Sequence, residues 1–347
     1  MYEVLKGDAE KHIELLKKRA TFLFVIGNTK TAEIKGITVA GENPELIKYT
    51  PPADVELLYY GKCKSIDAIP ATPDGKPTPA LITYTALKLV DIPFLVVDSG
   101  AMIKPKVPYV SINAPVGDNI AEKQAMDYNR VLDALNMAKI FGEQIAKYSD
   151  IVLVGESIPA GTTTAAAVLK ALGMKAAVSS SMPDNPIDLK MKIVEKAVKS
   201  VNTEDPIEVV SKVGDPVMVG VVGIALGAAK AKKPIVLAGG TQMVAISNIL
   251  KKIDNVDAVI ATTSYVAKDK NADMSLSPYP VISVDLGLDK STKAGLKAYA
   301  DGFVKEGVGA GGAALLAYAR GFSKEEFVKA VERYYFEIVE SKISGNI

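Results

Sequence analysis

Short, continuous apolar runs alternate with longer stretches of helical period, and this alternation limits the fold of the chain more than any other feature. Each run is rich in Val and Ile, and several end in glycine or a small polar residue before a helix begins. Strands of a parallel sheet that is covered on both faces have this continuous pattern. The runs predict strands at Phe22–Ile26, Phe94–Val97, Ile151–Val154, Ile235–Leu237, Ala258–Ala261 and Val281–Val284.

The alternation of strands and helices predicts an α/β fold, namely a Rossmann-like, three-layer α/β/α sandwich with a mostly parallel sheet. We assign residues 20–320 to this catalytic domain. The terminal stretches Val4–Arg19 and Ser323–Ile343 are charged and helical in period. We therefore expect residues 1–19 and 321–347 to meet in a small helical subdomain.

Three local patterns add detail. Ser323 followed by Glu326 has the spacing of a capping box at the start of a helix. The run Val217–Ala229 is too short to span a bilayer and, being rich in Gly and Ala, predicts a buried helix. The proline-rich segment Pro70–Pro79 predicts a loop, which is either a lid or a long connection.

Composition narrows the class of protein. The net charge of +1 provides no field for nucleic acid or an anionic membrane. The single cysteine, Cys63, rules out an intrachain disulfide, and the N-terminus lacks the pattern of a signal peptide, so we expect a cytoplasmic protein. The single histidine, His12, is expected to be a partly exposed helical residue. Acid–base chemistry is thus assigned to carboxylates, Lys or Tyr, with no metal site and no cofactor.

The segment Ile151–Gly173 is the most informative motif. A buried strand ends at Gly155, and the carboxylate of Glu156 follows at its tip. Gly161, Thr162 and Thr163 then begin an Ala-rich helix. Free N–H groups and the dipole at a helix N-terminus attract anions, so this start predicts a phosphate cradle. Ordinary N-capping by threonine accounts for the same pattern.

A second motif lies at Val304–Leu316. Glu306 precedes a glycine-rich loop and an apolar helix, with glycine at positions Gly307, Gly309, Gly311 and Gly312. Such a loop exposes main-chain N–H groups, and a carboxylate held beside it is a candidate base. A flexible loop with a solvated glutamate is the alternative.

A third motif, Gly239-Gly240 between a strand and a helix, either borders the same site or serves close packing. Together the three loops predict a pocket for a phosphate and a planar group, with two carboxylates. Phosphoribosyl transfer needs such a set. Its transition state resembles an oxocarbenium ion, and a carboxylate takes a proton from the attacking base.

Three segments resemble the nicotinate-nucleotide:dimethylbenzimidazole phosphoribosyltransferase family, in an archaeal form. Gly117-Asp118-Asn119 with Gln124-Ala125-Met126 is similar to the family's G-x-x-N and A-M stretch. The segment from Gly155 to Thr163 resembles G-E-M-G-I-G-N-T-T. Glu306-Gly307-Val308-Gly309-Ala310 resembles the end of G-E-G-T-G-A. The family's S-H-R-S-x-E stretch has no clear equivalent.

The resemblance implies a homodimer and a role for each matched residue. It implies that Glu306 is the general base and that Glu156 is a second carboxylate in the pocket. Ser157, which stands where the family has Met, is expected to contact the base. The residues expected at the phosphate or nucleotide are Gly161, Thr162, Thr163, Lys190, Gly307, Gly309, Gly239 and Gly240. For Lys190, which follows Asp184-Asn185-Pro186, a solvated lysine on a helix is the alternative.

The implied reaction moves the phosphoribosyl group of nicotinate mononucleotide to a benzimidazole-like or purine base. Its products are an α-ribazole-type 5′-phosphate and nicotinate, as in cobamide lower-ligand assembly. Only small-molecule partners are expected. One alternative is a non-catalytic nucleotide-binding or regulatory protein. Another is a sugar-phosphate phosphatase or kinase, which should need a divalent metal.

Overall fold

The sheet of the computed structural model has eight strands. The structure describes residues 1–38, 44–68, 71 and 75–344. The predicted loop Pro70–Pro79 therefore lies partly outside the described residues. The strands are β1 Tyr2–Lys6, β2 Ala20–Ile26, β3 Phe94–Asp98, β4 Tyr109–Ser111, β5 Ile151–Ser157, β6 Ile235–Ala238, β7 Ala258–Thr263 and β8 Val281–Val284. All six predicted strands are confirmed.

Helices connect and flank these strands. They are α1 Glu10–Leu16, α2 Pro44–Ile47, α3 Thr50–Tyr60, α4 Ala80–Val90, α5 Tyr128–Lys147, α6 Gly161–Ala171, α7 Ile187–Val198, α8 Pro206–Val213, α9 Pro216–Lys230, α10 Thr241–Ile253, α11 Ser264–Ala267, α12 Ala294–Lys297, α13 Ala310–Ala319, α14 Lys324–Tyr335 and α15 Ser341–Ser344. The capping box predicted at Ser323 is present, with Glu326 at the third helical position.

The strand order is β1-β8-β7-β6-β5-β2-β3-β4, and every pair is parallel except β1 with β8. From β2 the chain first adds β3 and β4 on one side and then returns to add β5 and the later strands on the other. The direction of winding thus reverses between β2 and β5. In sheets of this kind ligands bind beyond the carboxyl ends of the strands at the point of reversal.

Two hydrophobic cores cover the two faces of the sheet. Side chains from alternate positions of each strand point to opposite faces, so Leu153 of β5 lies in one core while Val152 and Val154 lie in the other. The helices α5 to α10 cover the first face, and α1, α3, α4, α13 and α14 cover the second. The three-layer α/β/α architecture is confirmed.

The N-terminal prediction is wrong in part. Tyr2–Lys6 is not helical but forms the antiparallel edge strand beside β8. All five of its residues are exposed, so the strand lacks the buried pattern that marked the others. Helix α1 packs on α13, and α14 packs on α4, all on the same face of the sheet. A separate helical subdomain of residues 1–19 and 321–347 stays a prediction.

His12 also departs from the expectation, because its side chain is buried on α1 with Nε2 3.0 Å from an Asp257 oxygen. Helix α9 confirms the buried helix predicted at Val217–Ala229. Its Gly227 lies against the backbone of α5, where a Cβ would overlap main-chain atoms of residues 139 and 143. No helix among the residues described in the structure is long and apolar enough to cross a membrane.

Candidate active site

A cavity of about 480 Å³ opens at the carboxyl ends of β5 and its neighbours. Both glutamates singled out from the sequence line this cavity. So do Gly161 and Thr162 at the start of α6, and Gly240 after β6. The predicted convergence of the distant motifs is therefore present in the structure, at the edge of the sheet where an α/β fold binds ligands.

The two glutamate motifs touch through their main chains. The N–H of Val308 donates to the carbonyl oxygen of Glu156 at 2.8 Å. In the same two motifs, a Cβ on Gly155 would lie 2.9 Å from the Cα of Gly309. Glycine at both positions allows the strand and the loop to approach this closely. The sequence thus holds the two carboxylates at one place by direct backbone contact.

Glu306 is held by main-chain donors. Its carboxylate accepts N–H groups from Thr263 at 2.9 Å, Gly307 at 3.1 Å and Gly311 at 3.2 Å. Burial raises the pKa of Glu306 to about 7, although these three N–H groups lower it. A carboxyl group with a pKa near the working pH is well suited to accept a proton in a reaction.

Glu156 is more strongly perturbed. Burial raises the pKa of Glu156 to about 8, and the negative charges of Asp215, Glu306 and Asp54 add to the effect. Glu156 is only 9% exposed to solvent. Since like charges at close range do not ionise together easily, the Glu156–Glu306 pair resists carrying two negative charges at neutral pH.

Ionisation of the buried carboxyl group of Glu156 is expected to lower the stability of the folded protein. Its folded-state pKa of about 8 exceeds the ordinary value of 4.5, so stability falls as pH rises between these values. The loss is complete above about pH 8. We expect Glu156→Gln to raise Tm by a few degrees at pH 8.5 and to have little effect near pH 4.5. Calorimetry at both pH values tests this, and a lower Tm at pH 8.5 would contradict it.

The start of α6 forms the polar end of the cavity. Nζ of Lys190 donates to Oγ1 of Thr162 at 3.0 Å and to the carbonyl oxygen of Ser179 at 2.8 Å. Lys190 is buried, so the alternative of a solvated lysine is wrong. Burial lowers the pKa of Lys190 to about 7, and the charge of Lys305 lowers it further. Lys190 does not itself line the cavity, but its partners Thr162 and Ser179 do.

A second buried lysine lies beside the first. Nζ of Lys305 is 3.0 Å from Oδ2 of Asp269 and donates to carbonyl oxygens of Ser180 and Met182. Ser179 donates its hydroxyl to the same Asp269 at 2.7 Å. Lys305 stands immediately before Glu306, where the resembled motif has glycine. It ties the 179–182 segment to the glutamate loop, and its positive charge is paired with the carboxylate of Asp269.

Besides Lys190, three predicted ligands do not line the cavity. Thr163 is fully buried inside α6, and its N–H donates to the carbonyl of Ala160 at 2.9 Å. Gly309 packs against Gly155 and Phe22, and Gly239 packs against Met243. For the two glycines close packing, not a ligand contact, explains the residue type. Ser157 and Gly307 do line the cavity.

Strained backbone is concentrated around the cavity. Ala160, Val304 and Val308 have φ of 63°, 38° and 53° and all line it. Positive φ is costly for a residue with a Cβ, and most of all for a β-branched residue. Such conformations persist where the surrounding structure enforces them and are common at functional sites.

Two further buried carboxylates, Asp54 and Asp215, were not predicted from the sequence. Burial raises the pKa of each to about 6. Asp215 caps α9 and accepts the hydroxyl of Thr164 at 2.5 Å, while Asp54 lines the cavity. Proline favours the first turn of a helix, so Asp215-Pro216 indicates a helix start. No local sequence pattern indicates that Asp54 lines the cavity. In the described part of the chain, no cluster of three or more His, Cys, Asp or Glu side chains is arranged to hold a metal ion.

A family model of phosphoribosyltransferases matches residues 84–298, which is more than half of the chain. The chain belongs to this phosphoribosyltransferase family. The resemblance to the nicotinate-nucleotide:dimethylbenzimidazole type is thereby confirmed, and the chain is a phosphoribosyltransferase.

The chain is also similar to two UPF0284 proteins over nearly its whole length, and its fold is similar to those of two solved structures. A UPF0284 protein of Archaeoglobus fulgidus is 65% identical over 335 residues, which are 96% of this chain and 98% of that protein. A UPF0284 protein of Saccharolobus solfataricus is 43% identical, covering 94% and 95% of the two chains. CobT from Thermus thermophilus matches with a TM-score of 0.62 at 16% identity, over 95% of this chain and 92% of that one. A second structure from that organism, described as nicotinate-nucleotide-dimethylbenzimidazole phosphoribosyltransferase, has a TM-score of 0.63 at 16% identity, over 97% and 94%.

Proposed function

We propose that this phosphoribosyltransferase moves the 5-phosphoribosyl group of nicotinate mononucleotide to a nitrogen of a heteroaromatic base. The products are nicotinate and an α-nucleotide 5′-phosphate, as cobamide lower-ligand assembly requires. The observation that carries the proposal is the shared cavity of Glu306 and Glu156, which the start of α6 also lines, with Lys190 hydrogen-bonded to Thr162 there.

In the proposed reaction the 5′-phosphate binds at Thr162 beside Lys190. The ribose then spans the cavity toward the two glutamates. Glu306 accepts the proton from the incoming base nitrogen as that nitrogen bonds to C1′ and the C1′–nicotinate bond breaks. Glu156 lies beside C1′, and the single negative charge that the Glu156–Glu306 pair carries at neutral pH stabilises the oxocarbenium-like charge electrostatically.

The direct test is to incubate the protein with nicotinate mononucleotide and a base, and to quantify nicotinate and the new nucleotide by chromatography. Equal amounts of both products are expected. The rival function, a non-catalytic nucleotide-binding protein, gives binding of nicotinate mononucleotide without either product. Release of nicotinate in the absence of base would identify a hydrolase instead.

The pKa values of two groups predict the pH dependence of this reaction. The ionised form of Glu306 is needed, so kcat/KM rises as pH increases toward about 7. The protonated form of Lys190 is needed to bind the phosphate, so kcat/KM falls above about 7. We expect a bell-shaped profile, whose rising limb disappears in Glu306→Gln. A flat profile from pH 5.5 to 8.5 would refute the assignment of both groups.

We also propose that the enzyme is a cytoplasmic homodimer that acts only on small molecules. The near-neutral charge and the single cysteine support the location. Sedimentation equilibrium tests the assembly, since a dimer has twice the chain mass of 36.7 kDa. A mass of one chain at micromolar concentration would exclude the dimer.

A further inference from the structure

One wall of the cavity is largely apolar. It comes from the segment between residues 37 and 71, and includes Ile37, Leu46, Ala53, Ile66, Ala68 and Ala71. On the proposed function, the phosphate and ribose occupy the polar end. The planar base is therefore left facing this wall, which suits an aromatic ring.

One charged group interrupts the apolar wall. Asp54 of α3 lines the cavity although it is only 7% exposed. Among the described lining residues between 37 and 71, it is the only carboxylate. Its negative charge raises the pKa of Glu156 and of the Cys63 thiol, both of which line the same cavity.

The carboxylate of Asp54 is positioned but not saturated. Oδ1 accepts the hydroxyl of Thr78 at 2.7 Å, and Oδ2 accepts the hydroxyl of Ser157 at 2.7 Å. An ionised carboxylate can accept about four hydrogen bonds, so acceptor sites remain. A buried carboxylate with unused acceptors is costly, and a donor from a ligand in the cavity would reduce that cost.

We propose that Asp54 determines the choice of base by accepting a hydrogen bond from an amino or similar N–H donor on the ring of the incoming base. The inference rests on the proposed function and names its second substrate. It selects bases that carry such a donor, including aminopurines and amino-substituted benzimidazoles. A base whose ring edge bears only methyl groups leaves the carboxylate without this partner and is disfavoured.

This preference is tested by comparing kcat/KM within two pairs of bases. Adenine and purine differ only by an amino group, and so do 5-aminobenzimidazole and benzimidazole. A hydrogen bond to a charged group contributes about 1.5–3 kcal/mol, so kcat/KM should favour the amino member of each pair by roughly 10–100-fold. In Asp54→Asn, where the acceptor is neutral, we expect the ratio to fall about tenfold.

Asp215→Asn is the matched control. Asp215 is a second buried carboxylate that raises the pKa of Glu156, but it does not line the cavity. Its substitution should change the rates with all four bases by a common factor and leave both ratios as they are. Asp54→Ser serves the same comparison if Asp54→Asn does not fold.

The outcomes test the role of Asp54 and the transferase activity separately. Ratios near one in the unmodified enzyme, or ratios that Asp54→Asn leaves in place, overturn the role of Asp54 while the transferase activity stands. Failure of all four bases to release nicotinate overturns the proposed function. In that case, calorimetric binding of adenine and purine still tests the role of Asp54. Loss of a preference for adenine in Asp54→Asn supports this role. Equal binding of the two bases by the unmodified protein overturns it.

Discussion

Replacing Glu306 by Gln should lower kcat about 10³-fold, because positioned proton acceptors contribute 10²–10⁴-fold to such reactions. The amide keeps the shape of the side chain and an oxygen for the N–H groups of Thr263 and Gly311, but it cannot accept the proton of the base. Affinity for nicotinate mononucleotide should change only a few-fold, since the proposed phosphate site is at Thr162 and not at Glu306.

Initial rates of nicotinate release and calorimetric titration measure the two effects separately. Glu325→Gln is the matched control, because Glu325 is an exposed glutamate on α14. It should behave as the unmodified enzyme. If Glu306→Gln keeps a third or more of the turnover, Glu306 is not the base, and the proton must leave by another group.

Replacing Lys190 by Met should lower kcat/KM for nicotinate mononucleotide about 100-fold, mainly through KM. The loss corresponds to about 3 kcal/mol, the upper range for a hydrogen bond to a charged group. Methionine fills the same space but offers no charge to the phosphate. The exposed Lys192, on the same helix, provides the control Lys192→Met.

An unphosphorylated donor separates binding of phosphate from a structural role of Lys190. Nicotinate riboside lacks the phosphate, so its low kcat/KM should be nearly the same in the unmodified enzyme and in Lys190→Met. Equal losses with both donors would mean that Lys190 only holds Thr162 and Ser179 in place.

Local sequence patterns predicted six of the eight strands and the glutamate pair. Each predicted strand is a continuous apolar run, and each glutamate has a neighbouring glycine, Gly155 or Gly307, in its motif. The exposed edge strand β1 was missed because its sequence, Tyr2–Lys6, has no apolar run, and only its pairing with β8 defines it.

Other site residues depend on long-range packing that no local pattern shows. Successive helical residues point about 100° apart, so Thr162 faces the cavity while Thr163 turns into the core. Lys190 lies beside Thr162 only because α7 packs against α6. Asp54 lies about 100 residues before Ser157, to which it is hydrogen-bonded.

The stereochemistry of the nucleotide product tests the central claim most directly. If Glu306 deprotonates a base that displaces nicotinate in one step, C1′ inverts, and the β-linked donor gives an α-nucleotide. Proton NMR of the anomeric hydrogen distinguishes the two forms. We predict the α-anomer alone. A β-anomer would require two displacements, with Glu156 as a covalent nucleophile, and would contradict the mechanism.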